Sequence, residues 1–405
     1  MSKSISAESK VSYYGWVVVG IALIANLITF GLVYSYSVFF KPLASEFGWS
    51  RSVTAGAFST YAIVHTILAF FCGWIADRHG PRLIVAVGGF FLGLSMLLMS
   101  YIDSVWQLYL VYGGFFSIGV AALYTPLIAT VSRWFRDKRG IAIGITAAGL
   151  GAGAMIFSPL SAWLVSVYGW RFAYVTLGIV TWISFIPVIK FLKNSPNYIF
   201  ETSGELVEPE GFTFFEAFRT RTFWAFCLTW LFAAFALWSI MIHIVSLLTD
   251  RGMSIVEAGF LAGLIGAGSL IGRVVSGYFS DKFSRKRVLI VALFIQLAAT
   301  VWFLFSNEIW ALYAFAIFFG LGSGGCAALM GAFPADYFGF KSTGAILGFG
   351  VVIAGIGLAI GPYFGGYIFD VKQSYDYMII ACIVANLMAI ISSLCIRTLK
   401  NTNDG

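Results

Sequence analysis

Gly73-Trp74-Ile75-Ala76-Asp77-Arg78-His79-Gly80-Pro81-Arg82 closes one long apolar stretch and opens the next. A related stretch, Gly277-Tyr278-Phe279-Ser280-Asp281-Lys282-Phe283-Ser284-Arg285-Lys286, lies 204 positions later. Gly73, Asp77, Arg78 and Arg82 meet Gly277, Asp281, Lys282 and Lys286 in register. The frame holds upstream, where Gly48 meets Gly252 and Ser50 meets Ser254. A second match has an offset of 203: Trp134-Phe135 with Lys138 meets Tyr337-Phe338 with Lys341, and Pro159 meets Pro362. Two unrelated motifs at nearly one offset indicate an internal duplication.

Around these motifs the 405-residue chain is 60% hydrophobic and 11% charged. A soluble domain carries about 25% charged residues, so this chain lacks the polar surface that water requires. Apolar runs fall near 14–40, 52–76, 83–101, 106–132, 140–166, 170–192, 222–248, 256–279, 288–305, 309–335, 344–368 and 377–396. Runs of roughly 20 residues cross about 30 Å of hydrocarbon as helices, which satisfy their own backbone groups. The expected fold is all-α and membrane-integral: twelve transmembrane helices in two pseudo-symmetric six-helix bundles. An even number of helices per half keeps the repeats parallel, related by an axis along the membrane normal. The expected division is 1–192, a linker 193–221, and 222–405. The linker carries Glu201, Glu205, Glu208 and Glu210, and Phe214-Phe215 suggests a short interfacial helix. The first apolar run is too long for a signal-peptide core and reads as a retained helix.

The net charge of +7 invites a nucleic-acid reading, but its distribution argues otherwise. With a cytoplasmic N-terminus, Lys41, Arg51, Arg171, Arg251 and Lys372 face outward and Arg273 lies within a helix. The other 19 of the 25 basic residues are cytoplasmic. That is the positive-inside bias, and it sets both termini in the cytoplasm, with the chain multi-pass in the cell (inner) membrane. Cys72, Cys227, Cys326, Cys382 and Cys395 have no metal-ligand spacing and suggest no disulfide framework. No cofactor or metal is expected. The glycine-rich runs 149–153 and 320–325 lack a preceding strand and a Walker lysine. They suit close helix packing.

The pattern at Gly73–Arg82, placed between the second and third of twelve helices, resembles the signature of the major facilitator superfamily. Gly73 permits close helix approach, and Asp77 can accept from a neighbouring helix N-terminus. With Arg78, Arg82, Asp281 and Arg139 it reads as a conformational latch. Within the superfamily, two segments resemble the signatures of the monocarboxylate transporters. One is Tyr14-Gly15-Trp16-Val17-Val18-Val19, closing with Val38-Phe39-Phe40-Lys41. The other is Trp134-Phe135-Arg136-Asp137-Lys138-Arg139-Gly140-Ile141-Ala142-Ile143-Gly144. Arg273 and Asp336 fit the pattern in the second half. The bacterial oxalate/formate antiporters share much of it.

The resemblance implies that Arg273 contacts a substrate carboxylate. Physics agrees: a buried guanidinium is costly unless paired, and its planar fork matches a carboxylate. Arg273 lies eight positions before Asp281. That is about 12 Å into the membrane, long for snorkelling to the surface. Vertebrate members carry an aspartate at the place of Ser269 and a first-helix lysine at the place of Tyr34. Tyr34 and Ser269 are therefore candidate substrate contacts. Asn26, two turns from Tyr34 on one face of helix one, and Tyr112 of helix four are further candidates for a polar tip toward the solute, although packing is the usual role of membrane aromatics. All eighteen acids sit at or beyond helix ends. Proton coupling must then use His65, His243, Asp250, Glu257 or the substrate carboxylate itself. His65 is the repeat mate of Ser269, and histidine titrates near neutral pH.

The expected function is alternating-access transport of a short monocarboxylate, such as L-lactate or pyruvate, with a proton. One rival is an oxalate/formate-type exchanger. A rival of another class is a receptor or sensor on a transporter scaffold. An enzyme is disfavoured, since no acid pair, metal cluster or nucleophile constellation appears. The expected partners are the carboxylate, the proton and the lipid bilayer, with neither nucleic acid nor an obligate protein partner.

Overall fold

A computed structural model describes residues 2–135, 138–193, 211–306, 308–339 and 341–397. Among them the regular secondary structure is helical, apart from one isolated antiparallel bridge between Gly211 and Gly339. The long helices are α1 (Ser2–Phe47), α2 (Arg51–His79), α3 (Pro81–Met99) and α4 (Val105–Trp134). The apolar run Gly140–Phe191 is continuous for 52 residues. At 1.5 Å per residue it would measure about 78 Å, more than twice a bilayer core. It breaks at Gly169, whose φ of 81° is left-handed. We therefore treat it as α5 (139–168) and α6 (170–191). The second half holds α7 (Arg221–Asp250), α8 (Ile255–Lys282), α9 (Arg285–Phe305), α10 (Ile309–Phe338), α11 (Thr343–Lys372) and α12 (Asp376–Leu394). Among the described residues, eleven helices are long and apolar enough to cross a membrane, and the break at Gly169 divides one of them, giving twelve crossings.

The repeat explains the local structure. Gly48 and Gly252 both take positive φ, 65° and 93°, in the turns that reverse the chain. Two residues later Ser50 and Ser254 cap α2 and α8, each accepting from the third N–H of its helix at 3.2 Å. Glu257 completes a capping box by accepting from the Ser254 N–H at 3.0 Å. α4 is irregular. Tyr109–Phe116 is π-helical, and a turn at 122–123 restarts the helix at Tyr124.

Lipid tails provide no hydrophobic drive between helices, so packing depends on close approach. The two glycine-rich runs serve this. A Cβ on Gly153 would lie 2.3 Å from the Leu27 carbonyl oxygen of α1. One on Gly320 would lie 2.2 Å from the Ile265 carbonyl oxygen of α8. Of the linker, Lys193 and residues 211–221 are described. Thr213 and Glu216 form a capping box on the short helix Phe214–Phe218, where the sequence suggests a short helix near Phe214. Phe214 and Phe218 pack on Phe223 and Phe349 of the second half. Glu201, Glu205, Glu208 and Glu210 lie outside the described residues.

The two sets of six helices meet at the end of the bundle away from the chain termini. Tyr34 of α1 stacks on Trp238 of α7. Ser59 of α2 donates to the Ala359 carbonyl of α11 at 2.5 Å. Gly259 and Gly263 of α8 abut Ala162 and Pro159 of α5. At the terminal end the corresponding helices stand apart. A Cβ placed on Gly140, Gly144, Gly277, Gly344 or Gly348 meets nothing within 4 Å. The central cavity therefore opens on the side of the termini and is closed at the far rim.

Candidate functional site

Arg273 lines the closed end of this cavity, on α8. It is half-buried, and its Nε is sealed without a hydrogen-bond partner. No carboxylate among the described residues lies within ion-pair distance of it. Tyr34 of α1 and Tyr124 of α4 stand within electrostatic reach of the guanidinium. The same recess is lined by Ser269, one turn earlier on α8, by Ser323 of α10, and by Leu237 and Met241 of α7. A cation with a bare donor beside the Tyr34 phenol, in an otherwise largely apolar wall, suits a small anion.

Aromatic rings roof the cavity. Tyr34 and Trp238 lie 5.2 Å apart and 7° from parallel, and Phe58 of α2 meets Trp238 at 5.5 Å. Phe58, Tyr61 and His65 form one stripe on α2, spaced three and four residues apart. Tyr61 and His65 therefore sit one and two turns from the roof toward the open end. His65 stacks on Tyr61 at 5.6 Å, and its Nδ1 is sealed without a partner.

Tyr34 and Ser269 thus join Arg273, whereas Asn26 and Tyr112 sit elsewhere. Asn26 is fully buried, and its amide nitrogen donates to the Thr146 carbonyl of α5 at 3.2 Å. It ties two helices of one half together. Tyr112 is buried between Tyr36 and Phe116, at 4.2 and 4.6 Å, with its hydroxyl unpartnered. Both lack the cavity-facing polar tip the sequence suggests, because close α1–α5 packing and the α4 π-turn direct them into the first half's core.

The four residues considered for proton coupling separate. His243 is fully buried, with Nε2 2.8 Å from the Pro362 carbonyl and Nδ1 3.1 Å from the Tyr375 hydroxyl. A carbonyl only accepts, so Nε2 carries the hydrogen and donates. Asp250 pairs with Lys41 at 2.6 Å and Arg51 at 2.7 Å. Both residues belong to the closure of the far rim. Glu257 is engaged in the α8 capping box. Only His65 is left with an unmet ring nitrogen.

The latch residues lie at the open end. A Cβ on Gly73 would lie 3.6 Å from the Thr125 methyl of its own half, so the glycine sits at ordinary contact distance there. Arg78 lies over the Trp74 ring at 4.0 Å, and Arg82 and Asp281 are exposed. The side chains of Asp77 and Arg139 lie outside the described residues. Asp336 pairs with Arg285 at 2.6 Å. Burial raises the Asp336 carboxyl above the usual carboxylate range, against the pull of Arg285. Among the described residues no group of three His, Cys, Asp or Glu is placed to hold a metal ion.

Tyr124, Trp238 and Ser323 escape sequence reasoning. Tyr124 depends on the restart of α4, Trp238 on a partner ring in the other half, and Ser323 on the close approach of α8 and α10.

The sequence profile of the Major Facilitator Superfamily matches residues 22–283 and 240–404. The chain belongs to this superfamily. A Bacillus subtilis (strain 168) protein, "Uncharacterized MFS-type transporter YcxA", is 28% identical over 86% of the chain and 87% of its own length. Monocarboxylate transporter 4 of Mus musculus is 26% identical over 91% of the chain and 80% of its own length. Monocarboxylate transporter 13 of Bos taurus is 26% identical over 91% and 86%. These relatives support the resemblance carried by the signature segments. Among solved structures, a bacterial homolog of the human lysosomal transporter Spinster matches in two inward-facing forms. The unoccupied form has a TM-score of 0.74 over 95% of this chain and 98% of its own, at 16% identity. The occupied form has a TM-score of 0.76, also at 16% identity, over 95% and 97%. The fold is that of a major facilitator transporter, and this superfamily member is a multi-pass membrane transporter.

Proposed function

We propose that the protein carries a short monocarboxylate, of the size of L-lactate or pyruvate, together with a proton across the cell membrane. Arg273 carries this reading: an arginine with a sealed, unpartnered Nε, at the closed end of the cavity between the halves. An arginine at such depth is stable when an anion or a protein group shares its charge, and the protein offers no described carboxylate. The relatives named monocarboxylate transporters favour a carboxylate as that anion.

Transport would proceed as the two units, 1–192 and 222–405, rock about the cavity, with 193–221 linking them. The termini and the present opening face the cytoplasm in this reading. The carboxylate enters from the outside when the far rim opens and settles on Arg273. The rim then closes, and the solute leaves toward the termini. Equilibrium dialysis of the purified protein tests the site. Labelled lactate or pyruvate should bind, with loss of binding in Arg273→Ala. Equal binding by the correctly folded variant excludes Arg273 as the carboxylate site.

A further inference from the structure

The recess beside Arg273 holds two serine hydroxyls with no role in carboxylate binding itself. Ser269 and Ser323 come from α8 and α10, and both line the recess with Arg273. Their separation is set by main chain. A Cβ on Gly324 would lie 2.0 Å from the Ser269 carbonyl oxygen, and one on Gly272 would lie 2.1 Å from the Leu321 carbonyl oxygen. The lining also includes Gly151 and Ala154 of α5 and Gly266 of α8, which leave little adaptable side chain. The recess measures about 20 Å³, room for roughly one water-sized group.

The two hydroxyls differ in what they can offer. Ser323 is 5% exposed, and its hydroxyl donates to the Gly320 carbonyl at 3.0 Å. Its proton is committed, so toward a ligand it acts as an acceptor. The Ser269 hydroxyl has no hydrogen-bond partner among the described residues. It can donate or accept.

We propose that this recess reads the oxygen on C2 of a 2-hydroxy or 2-oxo monocarboxylate held by Arg273. The proposal rests on the carboxylate reading of the site. The C2 oxygen is attached to the carbon next to the carboxylate, so it reaches the recess while the carboxylate stays on the guanidinium. Ser269 donates to either kind of oxygen. Ser323 accepts only from a hydroxyl, because a keto oxygen has no proton to give. Ser323 thereby favours a 2-hydroxy acid over its 2-oxo counterpart. An acid with no C2 oxygen uses neither.

The test is uptake into proteoliposomes by the full chain, with KM measured for L-lactate, pyruvate and propionate. Ser323→Ala should raise the KM for lactate about three- to tenfold, the effect of one hydrogen bond, and leave pyruvate unchanged. Ser269→Ala should raise both by a similar factor. Propionate KM should change in neither variant, which also shows that each variant folds and inserts. Equal shifts for all three acids, or no shift for any, would overturn the assignment and leave the carboxylate reading standing. A wild type that transports none of the three overturns the carboxylate reading and this proposal together.

Discussion

Asp370 of α11 accepts hydrogen bonds from the main-chain N–H groups of Arg51 and Ser52, each at 2.8 Å. A residue of one half therefore satisfies the exposed first turn of α2 in the other. The Arg51 guanidinium extends the same junction. It pairs with Asp250 at 2.7 Å, donates to the Tyr375 hydroxyl at 2.6 Å and lies 3.7 Å from the centre of the Phe369 ring. Lys41 shares Asp250. In these contacts the cations come from the first half and the acids from the second. These contacts link the two halves across the closed far rim.

Removing the cap should favour opening of that rim. A lost helix cap costs about 1 kcal/mol, which corresponds to roughly a fivefold change in a two-state equilibrium. Asp370→Ala should therefore increase labelling of a cysteine placed at Ser59 by a membrane-impermeant thiol reagent added from the far side. Asp250→Asn, which weakens two ion pairs, should increase it further. Labelling equal to that of the parent in both variants would remove the junction as a determinant of closure.

The crossings are legible in the sequence because apolar run length is a local property. The turns at Gly48 and Gly252, and the caps at Ser50 and Ser254, are legible because duplication repeats the same local solution. Arg273 stands out because a cation at that depth needs an explanation. Trp238 and Tyr124 do not stand out, since 18% of the chain is aromatic and composition does not separate cavity from packing. Asp370 is one of many acids at helix ends. Its partner is 319 residues away and is defined only by the docking of the halves.

Arg273→Ala should reduce uptake about 10- to 100-fold, the value of a hydrogen-bonded charge. Expression and detergent melting temperature should stay near those of the parent, because no acid among the described residues pairs with Arg273. Arg273→Lys should recover little, since a point charge does not reproduce bidentate recognition. Uptake measured against surface expression checks this; full activity in the lysine variant would argue for charge alone.

His243 and His65 should behave differently. His243→Ala leaves the buried Pro362 carbonyl and Tyr375 hydroxyl short of a partner, at a cost of about 1–3 kcal/mol each. A clear fall in melting temperature is expected. His65→Ala removes a ring whose Nδ1 is already unpartnered and should change stability much less. Its effect should appear instead in the pH dependence of uptake. Equal destabilisation by both substitutions would contradict this division of roles.

Asp77→Asn tests the latch at the open end. If Asp77 stabilises the conformation in which the terminal ends approach, its loss should slow turnover more than it weakens substrate binding. Turnover in proteoliposomes and binding to purified protein separate the two. Loss of affinity with unchanged turnover by the occupied protein would place Asp77 in binding instead.

The charge balance of the cavity predicts both the solute and its coupling. Arg273 is the cation at its closed end, and 344–368 of α11 contains no lysine or arginine. One guanidinium balances one carboxylate. A dicarboxylate would bring a second, uncompensated charge into a low-dielectric space, at a cost of several kcal/mol. Oxalate should therefore compete poorly with lactate. If one proton accompanies each monoanion, the loaded and empty carriers have the same net charge. Uptake should then follow an inward proton gradient and respond little to an imposed membrane potential. Liposomes clamped with valinomycin, with and without a pH step, separate these terms. Strong competition by oxalate would reverse the charge-balance argument. Lactate uptake that follows the potential and ignores the pH step would exclude one-to-one proton coupling.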